Sequence, residues 1–188
     1  LETDLFPVLF DMKQKGVRVD LDKAEKIKTE LEAKENDILR SIKKLVGFDV
    51  EVWAAASVAK AFDSLSLPYD TTPTGKPNFD QNFLSTHDSP LAKMVTEARK
   101  IYMARSTFVD KIISHSHRGR IHAEIHQMRS DQGGTVTGRF SYSNPNLQQI
   151  PARDKILGPL IRSLFIPEKN HEWGIFDYSQ QEPRLVVH

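Results

Sequence analysis

The sequence of 188 residues contains no cysteine, which excludes a disulfide framework and any thiolate metal site. No apolar run approaches the ~20 residues that a membrane-spanning helix needs, and no signal peptide is visible, so we expect no membrane partner. Hydrophobic residues make up 39% of the chain and charged residues 27%, as in an ordinary globular protein. The lack of cysteine fits a reducing compartment.

The net charge of +1 conceals an uneven distribution along the chain. Residues 99–162 carry 11 Lys and Arg against 4 Asp and Glu, whereas residues 163–188 carry 2 against 4. A basic middle followed by an acidic end suits a protein that grips phosphates and then presents a carboxylate to a metal ion. A solvated basic face would give the same counts, so charge alone does not decide between the two interpretations.

Helical spacing of apolar residues predicts that the first part of the chain is all helical. Gly16 should end the first helix, and Asp20 is well placed to cap the second. The turn-rich residues 71–77 predict a surface loop. The expected helices cover residues 5–15, 21–46, 54–65, 81–86 and 90–114.

The apolar period changes from 3.6 to 2 near residues 115–120, where we place the main boundary of the chain. Apolar and polar residues alternate over 119–128, which predicts a half-buried strand. A short helical turn is expected at about 158–165. The apolar residues 173–176 predict a second strand that runs into Asp177, with a helix starting at about 180–183. The fold class predicted from this pattern is α+β.

Four motifs carry a resemblance to a known family. Residues 177–184 read D-Y-S-Q-Q-E-P-R, which resembles motif A of the family A DNA polymerases, D-Y-S-Q-x-E-x-R. The segments G-R-I-H at 119–122, T-G-R-F-S at 137–141 and N-P-N-L-Q-Q-I-P at 144–151 resemble three further motifs of this family, in the family's order. The resemblance is strong over 119–188 and weak over 21–118.

The resemblance implies an incomplete polymerase fold. Residues 1–20 would be a lead-in helix that packs on the palm, residues 21–118 the helical thumb, and residues 119–188 the N-terminal part of an antiparallel-sheet palm that ends in motif A. The family's fingers helix and second catalytic aspartate do not occur in the sequence. We therefore expect that this chain alone does not polymerise, and that the remainder is supplied in cis or in trans.

The function implied by the resemblance is template-directed DNA synthesis, the addition of dNTP to the 3′ end of a primer on primer–template DNA. Asp177 is the expected catalytic residue and ligand of two Mg²⁺ ions, together with the backbone carbonyl of Tyr178. Aspartate carboxylates suit this hard cation. A simple helix-capping acid is the alternative interpretation of Asp177. The expected location is the cytoplasm of a bacterium or a phage-infected cell, with an organelle left open.

Glu182 resembles the family's glutamate that crowds the 2′ position of the sugar and disfavours ribonucleotides, which argues against a single-subunit RNA polymerase. Ser179 and Glu182 also have the spacing of a capping box, and both roles are compatible. Gln180 and Arg184 are expected to support the motif, Arg184 through a structural ion pair or a DNA contact.

Arg139, in the T-G-R motif, is expected to reach the minor groove near the primer end, where an arginine senses correct pairing without reading sequence. A surface arginine in a loop is the alternative. The other expected DNA contacts are Thr137, Asn146, Gln148, Gln149 and Arg162. The side-chain amides of Asn146, Gln148 and Gln149 could equally satisfy backbone groups in a turn. Arg162 could instead support motif A.

The chain departs from the family pattern at four positions. Gln149 stands where the family usually has Asn, and Gln181 and Pro183 stand where it usually has Ile and Leu. Met103 stands where the thumb pattern usually has a lysine, which puts one expected DNA contact in doubt.

Two other functions remain open from the sequence. The chain could be a non-catalytic duplex-DNA-binding module or a split-polymerase subunit, or residues 1–118 could be a helical module that binds a protein. A zinc site at His122 and His126 is disfavoured, because the alternation around them predicts a strand, not the helix that this spacing requires.

Overall fold

The computed structural model describes residues 2–131, 133–152 and 154–187. The helices of this part are α1 (Glu2–Lys15), α2 (Leu21–Val46), α3 (Ala55–Ser64), α4 (Gln81–Thr86), α5 (Pro90–Met103), α6 (Asp110–Ser114), α7 (Leu157–Arg162) and α8 (Gln181–Val187). A π-helical segment (Ala104–Val109) joins α5 to α6, and Leu147–Gln149 form a 3₁₀ turn. No helix in these residues is both long and apolar enough to cross a membrane.

The strands are short and pair in antiparallel fashion. They are β1 (Val17–Arg18), β2 (Asp70–Thr71), β3 (Pro77–Asn78), β4 (Ser116–His117), β5 (Arg120–Ile121), β6 (Glu124–His126) and β7 (Ser141–Ser143). They form a three-stranded sheet in the order β1-β5-β4 and the two pairs β2-β3 and β6-β7. Helices combined with small antiparallel sheets confirm the α+β class.

The signals that begin and end the early helices act as predicted. The side chain of Asp20 accepts a hydrogen bond from the N–H of Lys23 at 3.0 Å, which caps α2. Gly16 follows α1 with a φ of 61°, and a Cβ there would come within 2.7 Å of the carbonyl oxygen of Ile121. Only glycine satisfies both the positive φ and this close approach.

One helical prediction needs correction. The helix expected over 90–114 is interrupted by the π-helical segment, whose Arg105 donates to Glu35 at 3.2 Å and to Asp110 at 3.4 Å. A wider helical turn at this point lets one guanidinium reach carboxylates on two elements. The surface loop expected at 71–77 is present between the two short strands of the hairpin β2-β3, and the extended residues 17 and 18 form β1.

Two strand predictions also need correction. The strand expected over 119–128 is broken at residues 122–123, where Nδ1 of His122 lies 2.9 Å from the carbonyl oxygen of Lys13. Residues 173–176 form no strand, because no described segment lies alongside to pair with them. Ile175 and Phe176 are 90% and 96% exposed. A single extended segment has no ladder of hydrogen bonds to hold it.

Two apolar clusters form the interior. The first cluster combines α2, the π-helical segment, β5 and α7. Its buried residues are Val19, Ala24, Ile27, Leu31, Ile101, Ala104, Val109, Ile112, Ile121, Ala123, Ile161 and Leu164. The second cluster surrounds Phe62, which is fully buried between Phe79 and Phe83. Its other buried members come from the C-terminal half of α2, from α3, α4 and α5, and from Val52 in the connection between α2 and α3.

Residues 17–19 connect three distant parts of the chain. Val17 and Arg18 of β1 pair with Ile121 and Arg120 of β5, and the N–H of Ile166 donates to the carbonyl of Arg18 at 3.1 Å. Arg120 also pairs with Glu168 at 2.7 Å, and its hydrogen bond lowers the pKa of the Glu168 carboxyl. This junction fixes where the chain leaves α7 toward motif A.

Asp154 joins the start of α7 to α5. Its carboxylate pairs with Lys100 at 2.5 Å and accepts from the N–H groups of Leu157 at 2.7 Å and Ile156 at 2.9 Å. The hydrogen bond from Lys100, and then those from Leu157 and Ile156, lower the pKa of Asp154 to about 2. Asp154 is thus stabilised in its ionised form by groups from two elements.

Asp154→Asn should lower the free energy of unfolding at pH 7 by about 1–2 kcal/mol, after allowance for the half-exposed lysine. An aspartate in the unfolded chain titrates near ~3.9. Because folding depresses this pKa, the stabilisation is present above about pH 4 and is lost as the pH falls toward about 2. Urea unfolding at a series of pH values measures the difference. Asp88→Asn is the control, since the carboxylate of Asp88 and its partner Lys93 are both exposed to water. Equal losses of stability in both variants would contradict a specific stabilising role of Asp154.

Candidate nucleic-acid and metal site

Pairing of β6 with β7 presents the T-G-R motif on the loop between them. Glu124, Ile125 and His126 face Ser143, Tyr142 and Ser141 in register, so the chain between must reverse direction. The loop is held by the hydroxyl of Thr135, which donates to the carbonyl of Arg139 at 2.7 Å. The hydroxyl of the predicted DNA contact Thr137 donates to that of Thr135 at 3.2 Å. The side chain of Arg139 therefore projects from a braced loop.

The turn at 144–149 uses two of its three predicted DNA-binding amides internally. The side chain of Asn146 accepts from the N–H of Gln148 at 3.0 Å and begins the 3₁₀ turn. The amide of Gln148 donates to the carbonyl of Phe140 at 3.0 Å, which ties this turn to the T-G-R loop. The side chain of Gln149 makes no hydrogen bond with the described residues and lines a groove beside α6.

Motif A begins as an exposed extended segment and ends in α8. The N–H of Arg184 donates to the carbonyl of Gln180 at 3.1 Å, so the helix starts at Gln181 and contains Pro183 in its first turn, as predicted. Ser179 lies two residues before the helix. The capping box expected between Ser179 and Glu182 is therefore out of register and does not form.

The carboxylate of Glu182 instead accepts a hydrogen bond from the guanidinium of Arg139. This ion pair connects two motifs that lie 43 residues apart in sequence. Both side chains are about three-quarters exposed. The structure thus brings together the residues expected to sense the base pair and the sugar.

The two remaining arginines of the predicted site are exposed and free of described partners. Arg162 lies in the last turn of α7, and Arg184 lies in α8. Neither forms an ion pair or a side-chain hydrogen bond with any residue in the described ranges. The structural ion pair expected for Arg184 is therefore absent from this part of the molecule.

Asp177 presents an exposed carboxylate that pairs with no described cation. Its hard oxygens, with the backbone carbonyl of Tyr178 next to it, are the donor type that Mg²⁺ prefers. Within the described residues no group of three or more His, Asp or Glu could hold a metal ion. Asp177 thus fits the role of one ligand and does not by itself complete a site.

The groove beside Gln149 contains two basic residues that the sequence analysis did not single out. Lys111 lies in α6 and His115 directly follows the helix, and both line the opposite wall. The N–H of His115 donates to the carbonyl of Lys111 at 3.0 Å, so the two residues are one turn apart. The spacing of four residues between them, within the basic stretch 99–162, is the sequence pattern that could have indicated this pair.

Comparison with known proteins gives a consistent result. Residues 21–188 match the family model described as DNA polymerase family A. The chain is 34% identical over 198 residues to a DNA-directed DNA polymerase of Pseudomonas phage M6, covering 100% of this chain and 30% of the phage protein. It is 31% identical over 195 residues to the thermostable DNA polymerase I of Thermus thermophilus, covering 100% and 23%.

A solved structure is similar as well. The POL domain of Pol1 from M. smegmatis, in complex with DNA primer-template and dNTP, superposes with a TM-score of 0.71 at 27% identity. The match covers 84% of this chain and 28% of that chain. This chain therefore spans less than a third of the length of each of these three proteins.

The pair between Arg139 and Glu182 should contribute little to stability, because both side chains are exposed to water. A double-mutant cycle with Arg139→Gln and Glu182→Gln should give a coupling of about 0.5 kcal/mol or less at low salt. The coupling should disappear in about 1 M salt. Urea unfolding measures it, with Lys93 and Asp88 as a matched exposed pair. A coupling several times larger would mean that the pair contributes substantially to the stability of the fold.

Proposed function

Because this chain belongs to DNA polymerase family A, we propose that it forms the thumb and the first part of the palm of a DNA-directed DNA polymerase. Residues 1–20 supply the lead-in helix, residues 21–118 the thumb and residues 119–188 the N-terminal palm. The observation that carries this proposal is the ion pair between Arg139 and Glu182, since it joins the T-G-R motif to motif A at one surface.

Primer–template DNA and dNTP are the proposed partners. The similar M. smegmatis domain is described with both. In this chain, Arg139 lies on a braced loop, where its guanidinium can exchange the exposed carboxylate of Glu182 for acceptors in the minor groove. Every base pair presents such acceptors, so the contact reports pairing geometry and not sequence. Release of Glu182 then leaves its carboxylate free beside the incoming sugar.

Asp177 is the proposed catalytic carboxylate of this chain, with the backbone carbonyl of Tyr178 as a further ligand. Two bound Mg²⁺ ions would activate the primer 3′ oxygen and neutralise the triphosphate. The contribution of this chain is to hold one anionic oxygen ligand in an exposed segment directly before α8. The proposal includes a second carboxylate supplied by the remainder of the polymerase, since the described residues contain no group of three or more His, Asp or Glu that could hold a metal ion.

The apolar surface around motif A supports a remainder of the palm that packs here in cis or in trans. Ile175, Phe176, Val186 and Val187 are each at least 87% exposed. Such a patch is costly in water and marks a contact surface. A strand from the remainder would also supply the hydrogen-bond ladder that residues 173–176 lack. The intact mass of the product of the native gene would separate a longer chain from a split subunit.

Asp177→Asn in the full-length gene product should reduce kcat for primer extension by about 10³-fold or more, because each 1.4 kcal/mol of lost transition-state stabilisation is a tenfold loss. Binding of primer–template should stay within about twofold, since Asp177 contacts the ions and not the duplex. Single-turnover extension and fluorescence anisotropy measure the two effects.

Glu172→Gln is the matched control, because it removes an exposed carboxylate five residues upstream. Normal extension by Asp177→Asn would remove the catalytic assignment and favour a non-catalytic duplex-binding module. Extension by the purified 188-residue chain would contradict the need for a second carboxylate.

Glu182→Ala should raise the incorporation of ribonucleotides relative to deoxyribonucleotides by at least about tenfold, because the side chain that crowds the 2′ position is removed. The ratio of kcat/KM for rNTP and dNTP measures this selection. Glu182→Gln keeps the size of the side chain and should keep most of the selection. An unchanged ratio in the alanine variant would refute the assigned role.

A further inference from the structure

The loop between β6 and β7 carries Arg139, yet it adds nothing to the interior of the molecule. None of its described residues, 127–131 and 133–140, belongs to either apolar cluster. Met128 and Val136 are 65% and 76% exposed. Because burial of apolar surface is the main force that holds a segment in place, this loop depends instead on individual polar and backbone contacts.

His126, the last residue of β6, makes two contacts of this kind. Nε2 of its imidazole lies 2.7 Å from the hydroxyl oxygen of Ser143. Since Ser141 is the register partner of His126, the imidazole reaches diagonally across the two strands to Ser143. The same ring lies against the backbone of Gly133, where a Cβ would come within 2.9 Å of Nε2. One side chain therefore contacts both β7 and the returning part of the loop.

A short series of contacts connects Gly133 to Arg139. The N–H of Ser130 donates to the carbonyl of Gly133 at 2.7 Å, and the N–H of Gly133 donates to the carbonyl of Ser130 at 3.2 Å. These two bonds close a tight turn above the imidazole. Thr135, two residues after Gly133, donates to the carbonyl of Arg139 at 2.7 Å. A displacement of Gly133 would therefore move Thr135 and, with it, the backbone of Arg139.

We propose that His126 is a positioning residue for Arg139 in the polymerase reaction, an inference that rests on the proposed function. The imidazole fastens to β7 at Ser143 and supports the loop at Gly133, so that Arg139 meets the base pair at the primer end in one place. His126 acts in this way without contacting the substrate. Fixed geometry of this kind matters for rate, because a displacement of about 1 Å can cost up to ~10²-fold.

Primer extension by the full-length gene product, measured as kcat/KM with matched and mismatched primer ends, tests this role. His126→Ala should lower kcat/KM for the matched end by about five- to tenfold, and should lower the preference for the matched end by a similar factor. In the Arg139→Gln background the same substitution should change both quantities by less than about twofold, because the guanidinium through which it acts is missing.

Two further variants serve as controls. His126→Gln keeps a side chain that can hydrogen-bond to Ser143, so it should recover about half of the lost rate or more. His171→Ala should leave extension unchanged, because His171 is an exposed histidine whose ring lies against the carbonyl of Lys169 in its own turn.

The outcomes separate this role from the proposed function. Equal losses from His126→Ala in the two backgrounds would overturn the inference, because His126 would then act on the fold and not through Arg139, and the proposed function would stand. Unchanged extension by Arg139→Gln would overturn the proposed role of Arg139 and the inference with it. Circular dichroism shows whether His126→Ala is folded. If it is not, Ser143→Ala removes the same hydrogen bond from the other side and decides the inference by the same comparison.

Discussion

The packing of α2 against α5 and the π-helical segment is the contact on which the arrangement of the molecule depends. With 26 residues, α2 is about 39 Å long, which is enough to serve two interiors. Leu31, in its first half, belongs to the first cluster, and Ile42, near its end, belongs to the second. Arg99 of α5 fastens the second cluster by donating to the carbonyls of Val52 at 2.7 Å and Phe79 at 2.6 Å. The helix α2, packed against α5, thus connects the two apolar clusters.

The buried residues of β1 and β5 connect the first apolar cluster to the candidate site. Because Val19 and Ile121 are buried in the first cluster, β1 and β5 cannot shift register without exposing them to water. His122 is held against α1, and β6 follows directly. The loop that carries Arg139 is therefore positioned by packing that begins more than a hundred residues earlier in the chain.

Local signals predicted the elements that local interactions determine. Asp20, Gly16 and Pro183 act through their own backbone and its immediate neighbours, and the helix boundaries that depend on them were correct. The failures involve interactions between distant residues. In the π-helical segment, Arg105 contacts Glu35 of α2, which lies 70 residues away in sequence. The strand expected at 173–176 requires a neighbouring segment that the described residues do not provide. Alternation of apolar residues reports a face to be buried, and it does not report what covers that face.

In the candidate site, too, the sequence indicates residue types, whereas contacts between distant residues decide what each side chain does. The sequence identifies Asn146, Gln148 and Gln149 as one group of amides. It does not predict which of them form hydrogen bonds within the fold. In the structure, Asn146 and Gln148 use their hydrogen bonds to build the turn and attach it to the T-G-R loop. Gln149 and Arg139 remain exposed on either side of that attachment. Gln148 joins this turn to the loop of Arg139 through the carbonyl of Phe140, so one hydrogen bond relates the positions of Gln149 and Arg139.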